Sequence, residues 1–176
     1  MFKEYLQIIK LLLTPKEVHS CVMDIELEAL YAKGLTTIFV DVDNTIMAVS
    51  QRSLSLEYQN WVAKAQSIGF NIFILSNNSS FRRINVVAKQ TEMTGLYFVM
   101  KPFAFGLRDL AGQHGIDLTK SIVLGDQVLT DVLLGNWVRA YSILVDPMDK
   151  KLSFLKTLQR ELKLFLLKKI VKLSES

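Results

Sequence analysis

An apolar run that ends abruptly at two aspartates constrains the fold of this 176-residue chain more than any other feature. Residues 38–40 are followed by Asp41 and Asp43, with one residue between them, and then by the turn-forming residues Asn44 and Thr45. A continuous apolar run is typical of a buried parallel strand, and ligands of open α/β sheets bind beyond the carboxyl ends of the strands. Two carboxylates this close need a shared proton or a cation, and Mg²⁺ is the simplest such cation. The alternative is an Asp-rich turn that only caps the next helix.

Three further apolar runs also end in polar residues. They are residues 71–75 before Ser76 and Asn77, residues 97–100 before Lys101, and residues 121–124 before Gly125 and Asp126, with Asp131 five residues on. Because parallel strands deliver their carboxyl ends to one edge of a sheet, we expect these groups to share a site. A carboxylate nucleophile, a hydroxyl donor, a cation and metal ligands suit phosphoryl transfer through an aspartyl-phosphate.

Taken in order, the four segments resemble the four motifs of the haloacid dehalogenase (HAD) superfamily of phosphatases. The sequence D-V-D-N-T, together with G-D-Q-x-x-T-D over Gly125 to Asp131, is most similar to a small capless (class III) branch. That branch includes the bacterial and mitochondrial phosphatidylglycerophosphate phosphatases. The resemblance implies a phosphoric monoester hydrolase that requires Mg²⁺.

The resemblance also implies catalytic roles. Asp41 is expected to be the nucleophile, and Asp43 to protonate the leaving oxygen and then activate water. Lys101 is expected to hold the nucleophile and the charge of the phosphate. Ser76 and the backbone at Asn77 would bind the phosphoryl group. A solvated surface charge at Lys101 and a simple turn or cap role for Ser76 are the alternatives.

The implied metal ligands come from the first and last motifs. Mg²⁺ would be held by the carboxylates of Asp41 and Asp126 and by the backbone carbonyl of Asp43. Asp131 would support the loop or a metal-bound water. The hydroxyl of Thr45 would brace the first loop, with a turn or cap role as the alternative.

Helical patterns of suitable length for right-handed crossovers lie between the runs. We predict helices over residues 54–68, 81–89, 105–114 and 129–135, a short helix over 25–33 with Asp24 as its N-cap, and a fifth strand over 140–145. The predicted fold is α/β, a doubly wound, Rossmann-like parallel sheet of about five strands with helices on both faces. Residues 1–176 would form one HAD-like phosphatase domain.

The spacing of the motifs leaves no room for a cap domain over the site. Asp41 and Ser76 are 35 residues apart, and Ser76 and Lys101 are 25 apart, enough for one crossover each. The expected site is therefore open and suits a bulky substrate, such as a lipid head group, a protein side chain or a nucleic-acid end.

Charge is concentrated near the C-terminus. Residues 150–176 hold eight Lys and Arg and two Glu, a net +6, whereas the rest of the chain carries −2. Residues 150–173 predict a basic amphipathic helix, with Lys156, Arg160, Lys163 and Lys168 off its apolar stripe. A second apolar helix is predicted over residues 1–14. Both helices would either contact a membrane surface or pack on the sheet.

These features leave three hypotheses for the function. The first is a Mg²⁺-dependent phosphatase acting on an anionic lipid, phosphatidylglycerophosphate, at the membrane surface. The second is the same chemistry on a soluble phosphomonoester or a phosphoprotein, and the third is a non-enzymatic partner-binding module. Nucleic acid is not an expected partner, because the basic segment lacks interleaved Tyr or Trp. With Cys21 as the single cysteine, we expect a cytoplasmic protein, associated with the inner face of the membrane if its substrate is a lipid.

Overall fold

Six parallel strands form one sheet in the order β1-β6-β5-β2-β3-β4. The computed structural model describes residues 2–77, 81–96 and 100–149. The strands are β1 (Glu17–His19), β2 (Thr37–Val40), β3 (Asn71–Leu75), β4 (Thr94–Leu96), β5 (Ser121–Gly125) and β6 (Tyr141–Val145). All four residues of β2 are buried, because β2 has strands on both sides and helices on both faces.

Alternate residues of the central strands pack into two separate cores. On one face, Ile38 and Val40 lie in a core with residues of α2 (Leu27–Ala32), α3 (Leu56–Ile68) and α4 (Phe81–Thr91). On the other face, Phe39 and Phe73 pack with residues of α5 (Phe105–Gln113) and α6 (Leu133–Trp137). This arrangement confirms the predicted doubly wound α/β fold, which needs apolar residues on both faces of its strands.

The helix boundaries agree with the predicted crossovers to within a few residues, with two differences. Residues 129–135 were predicted as one helix, but a π-helix over Val128–Val132 precedes α6. The prediction of Asp24 as an N-cap is wrong. Asp24 lies in a 3₁₀ helix (Val22–Asp24), where its Oδ2 accepts a hydrogen bond from the backbone N–H of Cys21 at 3.2 Å.

Two strands also differ from the prediction. The short edge strand β1 was not predicted, and it makes the sheet six-stranded. Strand β4 ends at Leu96, before the apolar run predicted over residues 97–100, of which 97–99 lie outside the described residues. The predicted strand nevertheless leads to the same loop, the one that carries Lys101.

The N-terminal helix α1 (Phe2–Leu13) packs beside α6. Asn136 Nδ2 donates to the carbonyls of Leu11, Leu12 and Thr14 at 3.1, 2.9 and 2.9 Å, which satisfies carbonyls that the helix end leaves without partners. The predicted C-terminal helix 150–173 lies outside the described residues. Within the described residues, every helix is too short or too polar to span a membrane.

Candidate active site

The polar residues of the first, second and fourth motifs leave the sheet side by side. Val40 is level with Ile74 of β3 and with Leu124 of β5. The backbone N–H of Asp41 donates to the carbonyl of Leu124 at 2.8 Å, so the pairing continues to the first residue of the motif. The carboxyl edge of the central strands therefore carries the candidate site, as the sequence predicts for an open α/β sheet.

A tight loop turns the chain directly after Asp41. Asn44 has a φ of 66°, a left-handed conformation that Asn tolerates better than most residues. The backbone N–H groups of Ile46 and Met47 donate to the carbonyl of Val42 at 3.2 and 3.0 Å. Thr45 Oγ1 is buried and has no hydrogen-bond partner among the described residues, contrary to the expectation that this hydroxyl braces the loop. Backbone hydrogen bonds hold the loop instead.

A buried ammonium group lies at the centre of the site. Lys101 Nζ is 2.6 Å from Asp41 Oδ1 and 2.7 Å from Asp131 Oδ1, and it also donates to the carbonyl of Leu75 at 3.2 Å. The side chains of Lys101, Asp41 and Asp131 are only 3, 8 and 1% exposed. A buried charge is tolerated only when it is paired, so this lysine is not a solvated surface residue.

Burial and charge shift the protonation of the cluster. The pKa of Asp41 is raised to about 7, mainly by burial; the attraction of Lys101 opposes the increase, and the nearby carboxylate of Asp131 contributes to it. Burial alone would lower the pKa of Lys101, but Asp131 and Asp41 outweigh this effect and raise the pKa. Lys101 is therefore the permanent cation of the cluster, and a further cation beside Asp41 would favour its ionised form.

Three carboxylates of the site converge closely enough to hold a metal ion. One oxygen each from Asp41, Asp126 and Asp131 lie within 4.8 Å of one another. Carboxylate oxygens are the ligands that Mg²⁺ takes in proteins, so this donor set fits a hard divalent cation. Asp126 lies in this cluster, and its role as a metal ligand stays a prediction. Asp131 also lies in it, paired with Lys101, and its supporting role stays a prediction as well. The role of Asp43 depends on its backbone carbonyl and stays a prediction.

The carboxylate of Asp43 pairs with an arginine that sequence reasoning did not single out. Arg83, on α4, approaches Asp43 Oδ1 with its Nε at 3.0 Å and a terminal guanidinium nitrogen at 2.9 Å. The same guanidinium donates to the carbonyls of Ala48, Val49 and Gln51 at 3.0, 3.1 and 2.5 Å. Arg83 therefore fixes the carboxylate of Asp43 to the loop that follows it. No sequence signal links two residues 40 positions apart, so this contact could not have been predicted.

Asn77 holds the loop of Lys101 through its side chain. Its Nδ2 donates to the carbonyl of Lys101 at 2.9 Å, and its Oδ1 accepts from the backbone N–H of Lys101 at 2.6 Å. Ser76, the residue before it, is buried to 1% exposure beside the end of β3. The structure therefore brings the second and third motifs together, and the expected contacts of Ser76 and the Asn77 backbone with phosphate stay predictions.

Close packing over Gly125 positions Asp131. A Cβ atom at residue 125 would lie 2.3 Å from both Cγ and Oδ2 of Asp131, a distance that real Cβ atoms essentially never show. Asp131 Oδ2 also accepts from the backbone N–H of Gln127 at 3.1 Å. The glycine of the fourth motif thus gives the carboxylate of Asp131 room to reach Lys101.

Comparison with known proteins agrees with this geometry. Residues 6–148 match the family described as mitochondrial PGP (phosphatidylglycerophosphate) phosphatase. The chain is 26% identical over 147 residues to the probable phosphatase YqeG of Bacillus subtilis (strain 168), covering 84% of this chain and 85% of that protein. In fold, it is similar to an uncharacterized protein from Listeria monocytogenes serotype 4b, with a TM-score of 0.53, 18% identity, and coverage of 77% of this chain and 99% of that one.

The family match includes all four motifs, and the structure brings side chains of the first, third and fourth motifs into one cluster, with Asn77 of the second motif bonded to the backbone of Lys101. The chain therefore belongs to the mitochondrial PGP phosphatase family and is a phosphatase of the HAD superfamily.

Proposed function

We propose that this phosphatase is a Mg²⁺-dependent phosphomonoesterase that forms an aspartyl-phosphate at Asp41. The observation that carries the proposal is the buried contact of Asp41 with Lys101 at 2.6 Å, next to the carboxylates of Asp126 and Asp131. An aspartate nucleophile must be ionised and aimed in one direction. The ammonium of Lys101 favours the ionised form and fixes one oxygen of the carboxylate.

The proposed reaction has two displacements at phosphorus. A carboxylate oxygen of Asp41 attacks, the bond from phosphorus to the leaving oxygen breaks, and Asp43 gives its proton to that oxygen. Asp43 then takes a proton from a water molecule, which attacks the phosphorus and restores the Asp41 carboxylate as phosphate leaves. One carboxyl group can serve both steps, since the first leaves it ready to accept a proton. Arg83 holds Oδ1 of this carboxyl group against the loop after β2.

Asp41, Asp126 and Asp131 would hold the metal ion, with the backbone carbonyl of Asp43 as the further ligand that the resemblance implies. When bound, Mg²⁺ would neutralise the charge on the phosphoryl oxygens. Lys101 adds a positive charge from the protein itself. The site thus holds three carboxylates and one ammonium group. A divalent cation would neutralise the excess of negative charge.

As the substrate we propose the phosphomonoester of an anionic lipid, phosphatidylglycerophosphate. Two findings support it: the chain belongs to a family described by that substrate, and its motif spacing leaves no insertion to cover the site. The net +6 of residues 150–176 adds attraction to an anionic surface. A soluble phosphomonoester or a phosphoprotein is the second candidate, because an open site admits either.

The decisive experiment compares substrates on purified protein with Mg²⁺. Phosphate release is measured from phosphatidylglycerophosphate in vesicles, from a panel of soluble phosphomonoesters and from a phosphopeptide, with Asp41→Asn as the control for contaminating phosphatases. We expect the highest kcat/KM for the lipid. A higher kcat/KM for any soluble ester or for the phosphopeptide would reject the lipid assignment and keep the chemistry.

A further inference from the structure

Three large apolar side chains flank Lys101 and face solvent. Met100 and Phe103, in the loop between β4 and α5, are 42 and 52% exposed, and Phe105, the first residue of α5, is 59% exposed. The two rings stack on each other, with centroids 6.1 Å apart and an interplanar angle of 21°. Single exposed apolar residues are ordinary, but a cluster beside a site marks an interaction surface. We call Met100, Phe103 and Phe105 the Phe rim.

The Phe rim is fixed to the catalytic cluster. The ammonium of Lys101 is buried against Asp41, whereas its neighbours on both sides project outward. Two hydrogen bonds from Asn77 hold the backbone of Lys101, and the backbone N–H of Phe103 donates to the carbonyl of Met100 at 3.0 Å. A surface that touches the rim therefore stands at a defined position relative to the nucleophile.

Exposed cations accompany the Phe rim along the same edge of the sheet. Arg52 lies in the loop after β2, Arg82 in the first turn of α4, and Arg108 one turn after Phe105 on α5. Of the exposed acidic residues at this edge, Glu57 and Asp109 lie on α3 and α5, and Asp109 accepts a hydrogen bond from Gln113. Asp24, Glu26 and Asp146 follow β1 and β6, at the other end of the strand order from β4. Aromatic side chains next to arginines suit the headgroup region of an anionic bilayer, where rings are buried and cations meet lipid phosphates.

We propose that the Phe rim docks on an anionic bilayer and presents a lipid phosphate to Asp41. The inference rests on the proposed function, which supplies a substrate already located in that bilayer. A protein bound over the Phe rim would block substrate access to Asp41. A bilayer bound there would supply the substrate instead, because its lipids lie in the surface that contacts the rim. The rim is thus the part of the chain that selects lipid-borne over soluble phosphates.

Vesicle cosedimentation tests the docking surface without requiring turnover. The rim variant is Phe103→Gln with Phe105→Gln. Its matched control is Leu11→Gln with Trp137→Gln, two exposed apolar residues at helix ends that lead into the amino edge of the sheet. In vesicles of phosphatidylglycerol and phosphatidylcholine at high salt, where charge attraction is screened, the rim variant should bind at least tenfold more weakly than the parent, about 1.4 kcal/mol.

The control pair should bind as the parent does, and Phe103→Leu with Phe105→Leu should keep most of the binding because leucine is apolar. Thermal melting of each variant checks that the fold survives. Equal binding by parent and rim variant, or no binding of the parent to anionic vesicles, would overturn the inference. In a second cosedimentation at low salt, where charge attraction operates, equal binding of the parent to phosphatidylcholine vesicles and to anionic vesicles would show that the docking surface does not need an anionic bilayer and would overturn the inference.

A second readout separates this inference from the proposed function. For each variant, the rate on vesicle-borne phosphatidylglycerophosphate is divided by the rate on p-nitrophenyl phosphate. The rim variant should lower this ratio at least tenfold, and an unchanged ratio would count against docking. If the parent binds vesicles through the rim but releases no phosphate from the lipid, the substrate is wrong and the docking surface stands.

Discussion

Replacing Arg83 with Gln should slow catalysis, because this side chain holds Asp43, the proposed acid–base residue. Arg83 contacts Asp43 and the carbonyls of Ala48, Val49 and Gln51, all in the loop after β2. Glutamine keeps a polar side chain but loses the charge and most of these contacts. The carboxylate of Asp43 would then no longer be held in one orientation.

The size of the effect follows from these contacts. Hydrogen bonds of a charged group contribute about 1.5–3 kcal/mol, and contacts of one side chain are not additive, so we expect a loss of about 2–3 kcal/mol in the free energy of unfolding. For a chain of this length that lowers the Tm by about 4 to 12 °C. General acid–base catalysis contributes about 10²–10⁴-fold, and partial misplacement of Asp43 should lower kcat by about 10- to 100-fold.

The assay is steady-state hydrolysis of p-nitrophenyl phosphate, together with thermal melting. KM should change less than kcat, because Arg83 acts on the acid–base group and not on the phosphate. Arg82→Gln is the matched control, since Arg82 is the exposed neighbour on the same helix. Arg83→Lys should recover only part of kcat, because one ammonium cannot span four acceptors. A kcat of Arg83→Gln within twofold of the parent, or an equal loss in Arg82→Gln, would refute the positioning role.

The remaining predictions concern the nucleophile, the metal, the packing at Gly125 and the C-terminal segment. Asp41→Asn should abolish turnover with the fold intact, whereas Asp43→Asn should slow hydrolysis of the phosphoenzyme, so rapid quench should detect phosphoprotein only in the latter. Chelation should remove activity and Mg²⁺ should restore it, whereas Ca²⁺ should inhibit, because Ca²⁺ takes more oxygen ligands at longer distances; full activity in excess chelator would contradict a metal role. Gly125→Ala should lower the free energy of unfolding by about 1–3 kcal/mol in a denaturant titration, because the new Cβ displaces Asp131; Gly112→Ala, with open space around its Cβ, should not destabilise the protein. Replacing Lys156, Arg160, Lys163 and Lys168 with Gln should weaken vesicle binding at low salt. Unchanged cosedimentation would contradict a membrane role for residues 150–173 and favour the alternative that they pack on the domain.

Much of the candidate site was predictable because strand ends are local features of a sequence. Each apolar run that stops at a polar residue predicts a strand and the residue beyond its carboxyl end. The rule that parallel strands bring those ends to one edge then places Asp41, Ser76 and Asp126 together. Lys101 lies with them although β4 ends at Leu96, and its Nζ contacts Asp41.

Other features depend on which side chains meet across the finished fold. The ion pair of Asp43 with Arg83 joins residues 40 positions apart, and the contact of Asp131 with Lys101 joins residues 30 positions apart. A local sequence pattern does not predict contacts between residues so far apart in the chain. The edge strand β1 has three residues, too few to show a period. The sequence by itself thus determined the α/β class and the polar residues that follow the central strands, because both follow from short-range patterns. Only the tertiary structure decided which carboxylate meets which cation, because that depends on the packing of helices against the sheet.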